Sequence, residues 1–184
     1  WRVARAARMP NIRVFRRMHT RGLTSAIQFG IDHAKGSVIG WLDADLSHPP
    51  EYFAKMLRML NKSDVVVASR YIHGARDGRK EKTAVVMSGI INRMARIFLY
   101  PAVTDYTSGF ILMKKRILEC YRLQGDYGEY FIRLLAYCMR QGYKIQEIPY
   151  VFVSREHGVS KTATSLGDFF VKGIQYIQAI RKNM

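Results

Sequence analysis

The sequence predicts an α/β fold, an open and mostly parallel sheet flanked by helices, and three observations carry that expectation. Short apolar runs rich in β-branched residues, at 38–42 and 65–68, have the composition of buried strands. Stretches with apolar residues at helical spacing lie between and around them. Strands alternating with helices pack as a sheet with right-handed crossovers. At 184 residues, 48% hydrophobic and 24% charged, the chain holds one domain's worth of material with an ordinary globular balance. No repeat, low-complexity tract or linker divides residues 1–184.

In chain order, residues 1–10 are basic with little pattern, and 12–15 is a short strand candidate. Leu23, Ala26, Ile27, Ile31 and Ala34 follow a helical period that closes at Gly36. The strand at 38–42 ends in Asp43 and Asp45, and Pro49 and Pro50 can then open a helix at Glu51. That helix, 51–60, is expected to bury Phe53, Met56, Leu57 and Leu60. The run within 64–69 reads as a second buried strand. Residues 72–82 are polar and basic: either a solvated loop or a lid whose Arg76, Arg79, Lys80 and Lys82 meet an anion.

A helix over 85–100 carries Val86, Ile90, Met94, Ile97 and Phe98 on one face, widened by Met87, Ile91, Ala95 and Leu99. A face that wide is either deeply buried or in part against a membrane surface. The segment 105–110 leads into a strand at 111–113; either Gly109 lets the backbone come close to a ligand or the segment is only a tight turn. A loop at 125–128 opens a helix over 129–141. Glu129 near its start is a capping carboxylate or, alternatively, a general base or an acceptor for a substrate hydroxyl. Residues 143–153 read as one or two strands broken at Pro149, and 155–161 as a cationic loop around Gly158. A helix over 166–181, apolar at Phe169, Phe170, Ile174, Ile177 and Ile180, closes the chain.

Asp43 and Asp45 carry the chemistry. In extended backbone, residues i and i+2 point to one side, and open α/β sheets bind ligands at the carboxyl ends of their strands. Two carboxylates there suit a hard cation, Mg²⁺ or Mn²⁺, that completes its shell with water and phosphate oxygens. As a bare tripeptide, Asp-Ala-Asp is equally a turn or capping element. The net charge of +16 and pI near 10.1 favour anionic partners: nucleic acid, acidic headgroups or phosphorylated substrates. Neither a zinc spacing nor the aromatic-basic signature of a single-strand binder occurs, so no nucleic-acid partner is expected. Cys120 and Cys138 suit packing in a reducing compartment. No run approaches the ~18 apolar residues of a transmembrane span, and no signal peptide is visible.

Taken together, the motifs are more specific than any one of them. Gly-Leu-Thr-x-Ala at 22–26, Asp-Ala-Asp-Leu-Ser-His-Pro-Pro-Glu at 43–51 and Ser-Arg-Tyr at 69–71 resemble the inverting family 2 glycosyltransferases of the Rossmann-like GT-A fold. Asp-Tyr-Thr-Ser-Gly-Phe at 105–110, Gly-x-Tyr-Gly-Glu-x-Phe-Ile at 125–132 and Arg-x-x-Gly-x-Ser-Lys-Thr at 155–162 extend the resemblance, closest to the dolichol-phosphate and polyprenol-phosphate mannosyltransferases. The resemblance implies transfer of a sugar, mannose in the name-giving members, from a nucleotide-sugar donor to a polyprenyl phosphate. It implies a peripheral place on the cytoplasmic face of a membrane.

It assigns Asp43 and Asp45 to the metal and donor diphosphate, and Arg21, Gly22 and Arg70 to the donor side, Arg70 facing phosphates. Arg155 and Lys161 become the cationic pair near the transferred sugar and acceptor phosphate, with Ser88, Ser108, Gly109 and Glu129 on the acceptor side. Ser47 stands where some members have a Gln that reaches the metal, and Ala84 where an arginine is usual, with Lys80 or Lys82 as substitutes. The family opens with two strands that hold the base and ribose; nothing before Asn11 matches them, so the expectation is a catalytic domain without its N-terminal strands. Two rivals remain: the same fold acting on a saccharide hydroxyl, against which the wide face of 85–100 argues, and a basic nucleic-acid-binding protein.

Overall fold

A four-stranded mixed sheet forms the centre of the computed structural model, which describes residues 10–153 and 166–184, the side chains of 166–172 excepted. Its strands lie in the order β1 (Val38–Trp41), β4 (Ile111–Lys114), β2 (Val65–Ser69) and β5 (Ile145–Pro149). β1, β2 and β5 point one way; β4 runs antiparallel to both of its neighbours, and β2 pairs with β5 in parallel. A separate two-stranded ribbon joins β3 (Arg76–Asp77) to β6 (Val151–Phe152) in parallel. The helices are α1 (Leu23–His33), α2 (Tyr52–Met59), α3 (Lys82–Phe98), α4 (Lys115–Glu119), α5 (Glu129–Arg140) and α6 (Leu166–Asn183).

The two-residue period of β2 divides the core. Val65 and Val67, with Ile39, Ile111 and Met113, pack on one side against Ile31, Ile91, Ala95, Phe131 and Leu135 of α1, α3 and α5 and Ile180 of α6. Val66 and Ala68, with Phe110, Leu112, Ile148 and Tyr150, pack on the other against Met56 of α2 and Leu60. Every residue of β2 is buried, which is why its sequence is an unbroken apolar run. Gly40 is needed for close approach: a Cβ there would stand 2.9 Å from the Ile111 carbonyl oxygen and as near to the Phe53 ring.

Three expectations change. Residues 12–15 form no strand; they lie along α1, with the Phe15 ring edge-on to Phe29 at 5.4 Å and Arg17 donating to Ser25 Oγ at 2.9 Å. Leu57 of α2 is 53% exposed. The buried faces of α1 and α3 coincide only in part with their apolar stripes, sharing Ile31 on α1 and Ile91 and Ala95 on α3. α1 buries Thr24, Gln28 and Ile31, and α3 buries Ser88, Ile91, Asn92 and Ala95.

Those polar side chains face inward because loop backbone needs them. Thr24 Oγ1 donates to the Tyr127 carbonyl at 3.3 Å, and the Leu123 N–H donates to Gln28 Oε1 at 2.9 Å. Asn92 accepts the Tyr106 N–H at 2.7 Å and donates to Thr107 Oγ1 at 3.0 Å. Val86, Ile90, Ile97 and Phe98 of α3 remain exposed, as do Ile174 and Ile177 of α6.

Candidate functional site

Strand register brings the motifs together. Trp41 and Val67 both pair with Ile111, and Ser69 pairs with Pro149. Residues that follow β1, β2 and β5 and those that precede the antiparallel β4 therefore share one edge of the sheet. Asp43, Asp45, Arg70, the 105–110 segment and β6 all lie along it.

After β1 the chain turns at Ala44 and Asp45 rather than continuing extended. Asp45 Oδ1 accepts the Ser47 N–H at 3.1 Å, and Leu46, at φ 63, is the only non-glycine residue with positive φ among the described residues. Asp43 is exposed and Asp45 half-buried. His48 stands behind them, 2% exposed, its Nδ1 accepting the Asp43 N–H at 3.2 Å. Burial, reinforced by the charge of Arg70, lowers its pKa from 6.5 to about 4 against the opposing pull of Asp45 and Asp105. A neutral imidazole thus orients the start of the acidic turn.

Arg70 is paired inside the protein with a carboxylate. Its guanidinium is buried and grips Asp105 through Nε at 2.9 Å and Nη2 at 2.8 Å, while its own N–H donates to Asp105 Oδ2 at 3.0 Å. Nη2 also donates to Thr107 Oγ1 at 2.8 Å. Burial alone would raise the pKa of Asp105, but the charge and hydrogen bonds of Arg70 outweigh it and hold the carboxyl below its ordinary range. Glu147 of β5 braces the same turn, accepting the N–H groups of Thr104 and Asp105 at 3.0 Å each. Its own pKa is raised by burial against those hydrogen bonds.

Ser88 is buried on α3, and its hydroxyl receives Arg79 Nη2 at 2.5 Å and lies 2.8 Å from the Tyr71 hydroxyl. Arg79 is therefore a cation in direct contact with Ser88. Ser108 Oγ donates to the Ala68 carbonyl at 2.5 Å, and Gly109 takes φ +71, a conformation that favours glycine. Tyr130, which receives Trp41 Nε1 at 2.9 Å, lies beneath Gly109. Glu129 is buried and accepts the N–H groups of Asp126 and Tyr127 at 2.8 and 3.1 Å, the loop-holding role of a capping carboxylate. Arg21 is exposed and Gly22, at φ 117, caps α1. Arg155 and Lys161 lie outside the described residues.

The sequence reading assigned no role to His48, Asp105, Asn92 or Glu147. His48 sits inside the acidic motif and Asp105 opens its own motif, so proximity in sequence could have flagged both. Nothing local signals Asn92 or Glu147.

Among the described residues no group of three His, Cys, Asp or Glu could hold a metal ion. The 43–47 turn offers hard oxygen donors only: two carboxylates and the buried Ser47 hydroxyl, which has no hydrogen-bond partner among the described residues. That set fits Mg²⁺ or Mn²⁺, which readily draw remaining ligands from water and phosphate.

Residues 1–122 match the family Glycosyl transferase family 2. Over 159 residues the chain is 33% identical to the dolichol-phosphate mannosyltransferase of Pyrococcus furiosus, covering 82% of this chain and 43% of that protein. Identity to the Saccharomyces cerevisiae dolichol-phosphate mannosyltransferase is 29%, covering 94% and 64%. For the polyprenol monophosphomannose synthase of Mycolicibacterium smegmatis it is 30%, covering 84% and 61%. The chain thus spans between 43% and 64% of the length of these relatives. Among solved structures, glucosyl-3-phosphoglycerate synthase from Mycobacterium tuberculosis, in complex with Mn²⁺, UDP-glucose and phosphoglyceric acid, aligns with a TM-score of 0.65 at 16% identity. That alignment covers 89% of this chain and 55% of the synthase, and at this identity it is a likeness of fold.

Proposed function

The chain belongs to glycosyltransferase family 2, with the GT-A fold, and from that premise we propose that the intact protein transfers a hexosyl unit, mannose first, from a nucleotide sugar to a polyprenyl phosphate with inversion. The observation that carries the reading is the meeting, at one sheet edge, of the acidic 43–45 turn with Arg70 and the segment from 105 to 110. Relatives named for mannosyl transfer to dolichol and polyprenol phosphates favour the lipid acceptor over a saccharide hydroxyl.

In the reaction a phosphate oxygen of the acceptor bonds to the anomeric carbon as the bond from that carbon to the donor diphosphate breaks. A phosphate monoester is already anionic near neutral pH, so a dedicated general base is not required. Glu129, committed to the 126–127 backbone, is not needed as one. Asp43 and Asp45 are the residues that would hold Mg²⁺ or Mn²⁺, and that ion would supply Lewis-acid neutralisation of the diphosphate leaving group. His48 fixes the backbone of Asp43 during turnover. Arg70 adds a fixed positive field and holds the 105–107 turn in register. Arg155 and Lys161 are the cationic pair for the phosphates in this reading; its support is that Val153, two residues before Arg155 in sequence, donates its N–H to the Ser47 carbonyl at 3.3 Å.

Contact with the membrane is peripheral in this reading, at the cytoplasmic face and through the exposed apolar residues of α3 and α6. Among the described residues no helix is long and apolar enough to cross a membrane.

The deciding experiment offers the intact protein a panel of nucleotide sugars with a polyprenyl phosphate. Transfer from GDP-mannose is expected, and Asp45→Ala is expected to lower it by roughly a hundredfold or more, with the circular dichroism spectrum retained. Full activity in excess chelator would exclude the metal role, and transfer only to sugar hydroxyls would exclude the lipid acceptor.

A further inference from the structure

α3 buries an asparagine at its centre. Asn92 is 3% exposed and shares the inward face with Ser88, Ile91 and Ala95. Asparagine is a weak helix former, and a buried amide is costly unless both of its ends are bonded. Here both are bonded. Oδ1 accepts the Tyr106 N–H at 2.7 Å, which fixes the way the amide points and leaves Nδ2 to donate to Thr107 Oγ1 at 3.0 Å. The Thr107 hydroxyl is then fully committed. It gives its proton to Asp105 Oδ1 at 3.2 Å and accepts from Asn92 Nδ2 and from Arg70 Nη2, the latter at 2.8 Å.

That arrangement locks Arg70. Nε and Nη2 grip Asp105, and Nη2 also donates to Thr107. The Tyr71 and Phe152 ring centroids lie 5.5 and 6.0 Å from the guanidinium carbon. With Asp105 alone the fork could pivot about the carboxylate. Thr107, itself held by Asn92, stops that pivot and sets the direction of Nη1, whose N–H groups have no acceptor among the described residues. The charge of Arg70 is felt by His48, whose ring accepts the Asp43 N–H, so its field extends to the acidic turn.

We propose that Asn92 is a positioning residue for hexosyl transfer, which through Thr107 aims Arg70 Nη1 at the diphosphate of the nucleotide sugar. The proposal rests on the transfer reaction proposed above and deepens it. An N–H fixed in advance gains most where charge builds up, on the diphosphate as it leaves. Misdirecting Nη1 therefore slows turnover more than it weakens binding of the nucleotide sugar. Asn92 itself touches neither substrate; it acts through Thr107 and Arg70.

The test is steady-state transfer from GDP-mannose to a polyprenyl phosphate by the intact protein, with the folded fraction of each variant measured by circular dichroism. Thr107→Val keeps the shape of the side chain and leaves the bond of Asn92 to Tyr106. Asn92→Asp keeps that bond and loses the N–H given to Thr107. Each is expected to lower kcat per folded molecule by about ten- to a hundredfold and to change KM for GDP-mannose by less than about threefold. Thr107→Ser, which retains the hydroxyl, is expected to stay within about threefold of wild type in both. Adding Asn92→Asp to Thr107→Val is expected to lower kcat by less than about twofold more, because both act on one contact. Losses that multiply in the double variant would place Asn92 outside this relay and overturn the proposal. So would a wild-type kcat per folded molecule in both single variants, or a loss confined to KM. Those outcomes leave the proposed function standing. A wild-type protein that transfers no hexosyl unit to polyprenyl phosphate overturns the proposed function, and this proposal with it.

Discussion

His48 stacks on Phe110, with ring centroids 5.0 Å apart and planes 10° apart, and meets Tyr150 and Phe152 edge-on. Because Nδ1 accepts the Asp43 N–H, the ring must be neutral with its proton on Nε2. Protonation would set a donor against a donor. The fold lowers the pKa from 6.5 to about 4, so between those values the unfolded chain holds more protons than the native one. The stabilisation is complete above the unfolded value and is lost as pH falls through this window, by up to about 3 kcal/mol. His48→Asn, whose amide oxygen can accept the same N–H, should keep most of the stability at pH 7 and lose less on moving to pH 5. Urea midpoints at the two pH values check this. Equal losses in variant and wild type would mean that carboxylates elsewhere carry the acid sensitivity.

At the scale of elements, the turn between α3 and β4 shows how distant residues fix a site. Asp105 ties it to the end of β2, Glu147 to β5, and Asn92 to α3. Removing Asp105 leaves Arg70 buried without its counter-charge, so Asp105→Ala is expected to destabilise the fold by about 3–5 kcal/mol. Arg122→Ala, which loses an exposed pair with Asp32, should cost less than about 1 kcal/mol. Denaturant midpoints that moved equally for both would remove Arg70 and Asp105 as the anchor. The same turn explains what was legible in the sequence. β2, α2 and the break at Pro149 were readable because composition and punctuation follow local backbone geometry. Asp43 and Asp45 were readable as a strand-end pair for the same reason, although the turn at Ala44 was not. The polar members of the inward faces of α1 and α3 were not readable from apolar period. Gln28 is set by the backbone of Leu123, and Asn92 by that of Tyr106. Residues 12–15 have a strand's composition, but no strand of the described sheet lies beside them.

The whole molecule combines a net charge of +16 with apolar side chains that the fold leaves in solvent. On α3, Ile97 is 66% and Phe98 47% exposed, and Arg93 and Arg96 are exposed close by. α6 packs against α3 and exposes Ile174 and Ile177, with Arg181 and Lys182 near its end. Exposed apolar residues flanked by cations are what an anionic bilayer surface binds: the side chains enter the headgroup boundary, and each nearby Lys or Arg adds about 1 kcal/mol. The electrostatic part is screened over a Debye length of roughly 8 Å at physiological ionic strength, so it must weaken with salt. We therefore expect sedimentation with vesicles containing phosphatidylserine at low salt, diminished at high salt and weak with neutral vesicles. Ile97→Glu with Phe98→Glu should cut that binding severalfold while shifting stability by no more than about 0.5 kcal/mol per site, because neither side chain belongs to the core. Binding that is indifferent to salt and to both substitutions would show that α3 is not the membrane-facing helix. The exposed stripe would then need another partner, and the lipid acceptor would have to reach the 43–45 edge by a different route.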